Sequence, residues 1–514
     1  MFYKKSFMKF PEVCGMKYVS TRSGETVTAA EALLRGLAAD GGLYVPAEIP
    51  APFVDYETIK NFSYQELAVF VLRRFFTEIP DDVLADFVHR AYDTTFAVKE
   101  VVPVKRINEA FSVAELFHGR TCAFKDLALS LFPYLLTWAK KECKEARRVL
   151  ILTATSGDTG KAALEGFRDV AGTNICVFYP SHGVSPLQKD QMQKQAGENV
   201  RVCGIEGNFD DAQSAVKKIF SAGLTEETGG REVVFSSANS INIGRLFPQV
   251  VYYVWIWAEL LRAGSISEDE KFNIVVPTGN FGNILAAWFA KQIGVPIGQM
   301  VCASNDNHIL SDFFATGVYD KNREFYLTES PSMDILISSN FERFLYYMTG
   351  SREAVGRAMA QLSSVGRYAV SEEVMTRVAS EMMGGWAKGD EVERSIAGVY
   401  DAYEYLMDPH TAVAYTVYHN LRRAGKLTRG VHTVIASTAH PYKFPNAIAE
   451  ALGVPVSENA YDTLRNISEK TGIMIPHQLG SLETAPIRFA DSISRDSISE
   501  YVQEYAKEIA RDEK

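Results

Sequence analysis

A chain of 514 residues is too long for a single compact core, so two or three domains are expected. Its 47% hydrophobic and 23% charged residues exclude a largely disordered chain. A formal net charge of -10 speaks against nucleic acid or an anionic membrane as the main partner, and leaves any anionic substrate to a local site.

Residues 1–15 hold several lysines but no continuous apolar core, and read as an extension and not as a signal peptide. Residues 16–110 form an opening unit. Ala29 to Ala38 has helical composition, and the turn Asp40-Gly41-Gly42 leads into Leu43-Tyr44-Val45-Pro46. From about 110, short β-rich runs alternate with helical stretches. The clearest strands are Val149 to Thr153, Ile175 to Tyr179, Val200 to Ile205, Ile274 to Val276 and Thr433 to Ile435. Such alternation predicts an α/β protein with mainly parallel sheets.

The most apolar stretch, Val250 to Leu261, is about twelve residues long, short of the roughly twenty that span a bilayer, and predicts a buried helix. Gly264 to Lys271 reads as a surface connection. Between about 330 and 430 the pattern is mainly helical, as in Arg352 to Leu362 and Glu372 to Met383, and the sequence assigns this region no role. Six scattered cysteines form no CxxC pair, and no His-rich cluster has ligand spacing. Neither disulfides nor a metal site are expected, and a reducing cytoplasm is the simpler reading.

Two glycine-rich loops stand at strand-to-helix junctions: Thr153-Ala154-Thr155-Ser156-Gly157-Asp158-Thr159-Gly160 and Pro277-Thr278-Gly279-Asn280-Phe281-Gly282-Asn283. Glycine lets the backbone approach a ligand, and free N–H groups at a helix N-terminus bind anions, so either loop could hold a phosphate or a carboxylate. Neither is a dinucleotide fingerprint or a Walker loop. Two such loops suggest one ligand with two anionic ends, or two anions side by side. Taken singly, each is more simply an ordinary tight turn, since such loops are common. Lys125 lies between Phe124 and Asp126, with small or apolar residues on either side. Partial desolvation there would lower its pKa and raise its nucleophilicity toward a carbonyl.

The string His118-Gly119-Arg120-Thr121-Cys122-Ala123-Phe124-Lys125-Asp126 resembles the Schiff-base segment of threonine synthases. Arg120 replaces the usual proline and Cys122 a common leucine. The resemblance continues through Ser156 to Gly160, Ser185-Pro186-Leu187-Gln188, Gly207 to Ala212, Asn239 to Arg245, Gly279 to Asn283 and Thr438 to Phe444, covering roughly 16 to 455. It is closest to the longer bacterial and fungal form.

That resemblance implies a fold type II pyridoxal-phosphate enzyme with two three-layer α/β/α domains: a smaller one over 111–245 and a larger one over 246–514, the latter with a helical insertion at about 330–430. It implies pyridoxal 5'-phosphate as a Schiff base on Lys125, its phosphate cradled by Gly279, Asn280, Phe281, Gly282 and Asn283, and its ring nitrogen on Thr438. Ser156, Gly157, Asp158 and Thr159 would face the substrate amino acid. Lys161, Asn242 and Arg245 are the candidates for its phosphate, because cations and guanidinium forks suit phosphate oxygens. The implied activity is that of a carbon–oxygen lyase of threonine biosynthesis, converting O-phospho-L-homoserine and water to L-threonine and phosphate in a monomer or homodimer. A phospho-lyase or a threonine/serine dehydratase of the same fold is the alternative.

Overall fold

The computed structural model describes residues 15–511 apart from 156, 182–183, 208–210, 213–214, 217–218 and 220–232. Two largely parallel sheets organise it. The first has six strands, in the order Met382–Trp386, Ile297–Ser304, Phe272–Pro277, Thr433–Ser437, Phe111–Glu115 and Val104–Arg106. Its neighbours run parallel except the edge strand Val104–Arg106, which is antiparallel to Phe111–Glu115. The second has five parallel strands, in the order Ser492–Ser494, Val200–Glu206, Thr173–Pro180, Arg148–Ala154 and Val233–Ser237. The central strands Phe272–Pro277 and Thr173–Pro180 are buried along their whole length, as parallel strands covered on both faces must be. This explains why they read as continuous apolar runs and not as alternation.

All five expected strands are present. Sheet membership departs from the expected division at three places, the first being Val104–Arg106, which falls in the opening unit 16–110 but joins the six-stranded sheet. Phe111–Glu115, expected to open the 111–245 domain, pairs with Thr433–Ser437 in the six-stranded sheet. Ser492–Ser494, expected within 246–514, pairs with Val200–Glu206, and helix Ile498–Arg511 then packs Ile498, Val502, Ala506 and Ile509 against the five-stranded sheet. Pairing between strands hundreds of residues apart leaves no local mark in a sequence. The helix expected over Glu372 to Met383 ends at Glu381; Met382 is already extended and begins the edge strand Met382–Trp386.

Helix Ile243–Arg262 contains the apolar stretch and is buried on nearly every face. It is a core element, as a helix apolar all round must be in a water-soluble fold. Among the described residues no helix is long and apolar enough to cross a membrane. The opening unit is a three-stranded antiparallel sheet, Tyr18–Ser20, Thr26–Val27 and Tyr44–Pro46, with helices packed on it. It is tied to the insertion by Arg22, whose guanidinium grips the Glu342 carboxylate at 2.6 and 2.8 Å.

Candidate active site

Lys125 is placed by backbone before its side chain is considered. The Phe124 N–H donates to the Thr438 carbonyl at 2.8 Å, and Ala123 bridges to Ala439, so the lysine loop is stitched to the end of strand Thr433–Ser437. The Asp126 carboxylate accepts the Thr121 N–H (2.8 Å) and hydroxyl (2.7 Å), closing the turn ahead of the lysine. The two unusual residues of this segment lie outside the chemistry. Arg120 points its half-exposed side chain toward Glu165 at 3.9 Å, and Cys122 is buried in the left-handed region with φ 56.

The Lys125 amine is buried, donates to Ser332 Oγ at 3.3 Å, and lies 4.0 Å from Asp158 Oδ2. Burial pushes its pKa down to about 8; Asp158 opposes that, while Arg245 and Lys443 add to it. An amine held near neutrality can attack a carbonyl and can exchange protons at physiological pH. Asp158 is the focus of the surrounding charge. Its Oδ1 meets Lys443 Nζ at 2.5 Å and accepts Gln188 Nε2 at 2.9 Å. Burial alone would raise this carboxyl; Lys443 and Lys125 outweigh it and hold it well below the usual carboxylate range.

The first glycine loop leaves strand Arg148–Ala154 and enters helix Asp158–Phe167. The Thr155 hydroxyl accepts the N–H groups of Gly157 (2.9 Å) and Gly160 (2.8 Å). Gly157 has φ 137, and a Cβ there would stand 2.6 Å from Gln188, so the position requires glycine. Thr155 and Thr159 line a cavity of about 490 Å³ that also contains Phe124 and Lys125. Ser156 lies outside the described residues.

The second loop leaves strand Phe272–Pro277 and enters helix Gly282–Gln292. Gly279, Asn280, Phe281, Gly282 and Asn283 all line the same cavity, and no side chain caps the helix. Phe281 is left-handed with φ 62, a conformation unfavourable for a bulky residue and found where surroundings impose it. Asn283 accepts both the Tyr252 and Tyr253 hydroxyls through Oδ1, while its Nδ2 is buried without a partner. Thr438 faces the cavity at the end of its strand, and its hydroxyl has no hydrogen-bond partner among the described residues.

The three cation-side candidates separate. Arg245 lines the cavity; it is buried, its Nη1 donates to the Ala238 carbonyl at 2.9 Å, and its Nε has no partner. Among the described residues it meets no carboxylate, and burial pushes its pKa down to about 10. A buried guanidinium in this state is costly unless an anion joins it. Lys161 and Asn242, like Gly157 and Asp158, are not among the residues that line the cavity. Lys161 Nζ is held by Gln195 Oε1 at 2.5 Å and Glu165 at 3.7 Å. Asn242 caps helix Ile243–Arg262, accepting the Gly244 N–H at 2.9 Å and donating to the Leu33 carbonyl at 2.9 Å, so its amide is spent.

Sequence reasoning missed Ser332, His410, Lys443 and Lys321. Lys443 stood inside a recognised motif, and its burial was the missing information; Ser332 and Lys321 carried no signal. For His410 and His440 the sequence alone favours structural roles. His440 fits that: its Nδ1 accepts the Tyr442 N–H at 3.2 Å, and burial, with help from His118 and Lys443, pushes it down to about 3. His410 instead lines the cavity.

A phosphorylated aldehyde cofactor suits these residues. They offer a buried near-neutral amine for the aldehyde, an uncapped helix N-terminus and an unpartnered amide donor for the phosphate, and a free hydroxyl for a ring nitrogen. The sequence matches three family profiles: "Threonine synthase N terminus" over residues 17–92, "Pyridoxal-phosphate dependent enzyme" over 101–438 and "Threonine synthase, C-terminal" over 411–502. Threonine synthase-like 1 of Pongo abelii is 37% identical over 471 residues, which cover 87% of this chain and 62% of that protein. This chain thus spans about three fifths of that relative's length. Threonine synthase of Saccharomyces cerevisiae is 36% identical over 467 residues, covering 85% of this chain and 89% of the yeast protein. The crystal structure of PLP-bound threonine synthase from Brucella melitensis superposes with a TM-score of 0.84 at 37% identity, covering 96% of this chain and 100% of that one. The chain belongs to the threonine synthase family of pyridoxal-phosphate-dependent enzymes, with the type II α/β fold.

Proposed function

We propose that this protein converts O-phospho-L-homoserine and water to L-threonine and phosphate, with pyridoxal phosphate joined to Lys125. The observation that carries the reading is one cavity holding a buried amine, an uncapped helix N-terminus and an unpaired buried guanidinium. Gly279 to Asn283 would hold the cofactor phosphate through backbone N–H groups and the free Asn283 amide. The Thr438 hydroxyl would meet the ring nitrogen and, being neutral, leave it largely unprotonated. When bound, the cofactor supplies the electron sink that makes protons near the amino carbon removable.

The chain's own residues do the rest. The loop that enters helix Asp158–Phe167 would offer N–H groups to a substrate carboxylate, and Asp158 acts mainly by fixing charge beside Lys125. Lys125, once released from the cofactor, is the base within reach of the reacting carbons and moves protons among them. Arg245 supplies the fixed positive charge for the departing phosphate, with Lys321, a cavity-lining cation that meets no carboxylate among the described residues. Met359, Leu362 and Ser363 line the cavity as well and give the insertion a role as one wall of the site. The five described cysteines are free, which suits a reducing compartment, and we place the protein in the cytoplasm.

Incubation with O-phosphohomoserine, following phosphate and threonine together, tests the reading. Equal amounts of both products are expected. Phosphate with 2-oxobutanoate and no threonine would instead establish the phospho-lyase. A second test addresses the phosphate cradle. A Cβ on Gly279 would stand 2.3 Å from the Ser332 carbonyl oxygen, so Gly279→Ala must push the loop away from Ser332. Titrating cofactor into the variant by visible absorbance should show affinity weakened about tenfold or more, equivalent to about 1.4 kcal/mol. Unchanged affinity would remove this loop from the cofactor site.

A further inference from the structure

We propose that Ser332, seated by the Asp408–His410 pair, orients the amine of Lys125 during turnover; this rests on Lys125 being the cofactor lysine. Ser332 is the middle residue of the short turn Pro331–Met333 in the insertion, 207 residues from the lysine it touches. Its N–H donates to His410 Nε2 at 3.2 Å. His410 Nδ1 lies 2.8 Å from Asp408 Oδ1, and the fully buried Asp408 also accepts the His410 N–H at 3.0 Å and the Thr411 hydroxyl. A carboxylate only accepts, so Nδ1 carries the hydrogen and Nε2 is left as a bare acceptor facing the Ser332 N–H. Two hydrogen bonds to the ring therefore agree on one neutral tautomer, and together they fix the turn. Its other side is pinned by Gly279, whose missing side chain lets the Ser332 carbonyl approach the phosphate loop.

The consequence is read at the Ser332 hydroxyl. It accepts an N–H of Lys125 at 3.3 Å and points its own hydrogen at Asp158 Oδ2, 3.5 Å away. Asp158 is held in turn by Lys443 and Gln188. A neutral amine has two N–H bonds and one lone pair. With one N–H on Ser332 and the Asp158 carboxylate 4.0 Å off, the lone pair is left to face the cavity. The remaining charged groups near the amine are Arg245 and Lys443, which repel its protonated form. Without Ser332 the four-carbon stem regains rotamer freedom at the moment the amine must face a carbon atom. Ser332 touches the reacting nitrogen and is in that sense catalytic; His410 and Asp408 are positioning residues.

The test uses the full-length holoenzyme with Ser332→Ala, Ser332→Thr, His410→Phe and the double variant Ser332→Ala/His410→Phe. For Ser332→Ala, kcat should fall about tenfold or more with KM within about twofold, because orientation and not ground-state binding is lost. Ser332→Thr should recover most of that loss. The double variant should be no slower than Ser332→Ala, since both changes remove one device. A second readout avoids turnover: acetylation of Lys125 in the cofactor-free chain, mapped by mass spectrometry at pH 7. Removing the oxygen that favours the protonated amine should speed acetylation in Ser332→Ala about twofold or more. Unchanged kcat together with unchanged acetylation overturns the proposal, as does a double-variant loss equal to the product of the single losses. If the parent makes no threonine and binds no cofactor, it is the proposed activity that fails, and the acetylation comparison still decides whether Ser332 governs this amine. Should His410→Phe fail to fold, the serine variants alone decide between the two outcomes.

Discussion

Replacing Lys125 with alanine should reduce threonine formation by about 10³-fold or more, since the change removes both the attachment point and the proton carrier, and loss of a positioned acid–base group alone costs about 10² to 10⁴. Borohydride reduction of the parent should place the pyridoxyl label on residue 125, and the variant should take none. The same site makes an opposite prediction for stability. In the cofactor-free chain, burial lowers the lysine from 10.5 to about 8, so the folded state binds this proton less tightly than the unfolded state does. Below pH 8 the unfavourable contribution is therefore fully present, it fades as pH rises from about 8 to 10.5, and above that it is gone. Its size is about 3 kcal/mol, a figure that already includes the attraction to Asp158. Lys125→Met keeps the apolar stem and deletes the charge. Urea unfolding of cofactor-free Lys125→Met should therefore show a protein more stable than the parent at pH 7, the gap closing toward pH 10.5. A variant less stable than the parent at pH 7 would mean that the amine is not strained by burial, and the functional use made of that strain would go with it.

Much of this site was legible because its signals are local. The two loops announce themselves by glycine at a strand–helix junction, and the Lys125 segment by an unbroken string of residues; both lie where an α/β sheet puts its ligands, beyond the carboxyl ends of strands. What could not be read is direction and distance in space. Lys161 sits three residues beyond Asp158 on the same helix, yet Gln195 and Glu165 draw it away from the cavity. Asn242 looked like a ligand, but an asparagine directly ahead of an apolar helix is also what a helix cap looks like, and that is the use made of it. Arg245, three residues on, is the one that faces the cavity. Ser332 has no motif and gains its meaning from a hydrogen bond across 207 residues of chain. The exchange of edge strands between the two sheets was invisible for the same reason.

Lys443→Met should be the most damaging single change to stability in this region. Lys443 is fully buried, and its ammonium meets Asp158 Oδ1 at 2.5 Å and the Thr121 carbonyl at 3.0 Å. Its removal leaves a buried carboxylate with Gln188 and Ser332 as donors and Lys125, 4.0 Å away, as the nearest cation. Breaking a buried pair from one side costs about 3–5 kcal/mol, because the surviving charge has no solvent to return to. The loss depends on pH with a definite sign. The Asp158 carboxyl is held well below its ordinary value in the folded state, so its contribution is fully present above the unfolded value of about 3.9 and is lost as pH falls through the folded value. The parent and Lys443→Met should thus differ most near neutrality and converge in strong acid. Adding Asp158→Asn should restore most of the stability, since a neutral amide is cheaper to bury than one unpaired charge. Activity responds separately. Lys443 contributes to keeping the Lys125 amine near neutrality, and Asp158 works against it. With Lys443 gone, Lys125 holds its proton more tightly, and the pH optimum of threonine formation should move to the alkaline side. Urea unfolding at pH 7 and at about pH 2, below the unfolded carboxyl value, and a pH–rate profile would measure all three effects. A Lys443→Met protein within about 1 kcal/mol of the parent at neutral pH would show that Asp158 is not confined as described, since the desolvation penalty that sets the effect could not then be present.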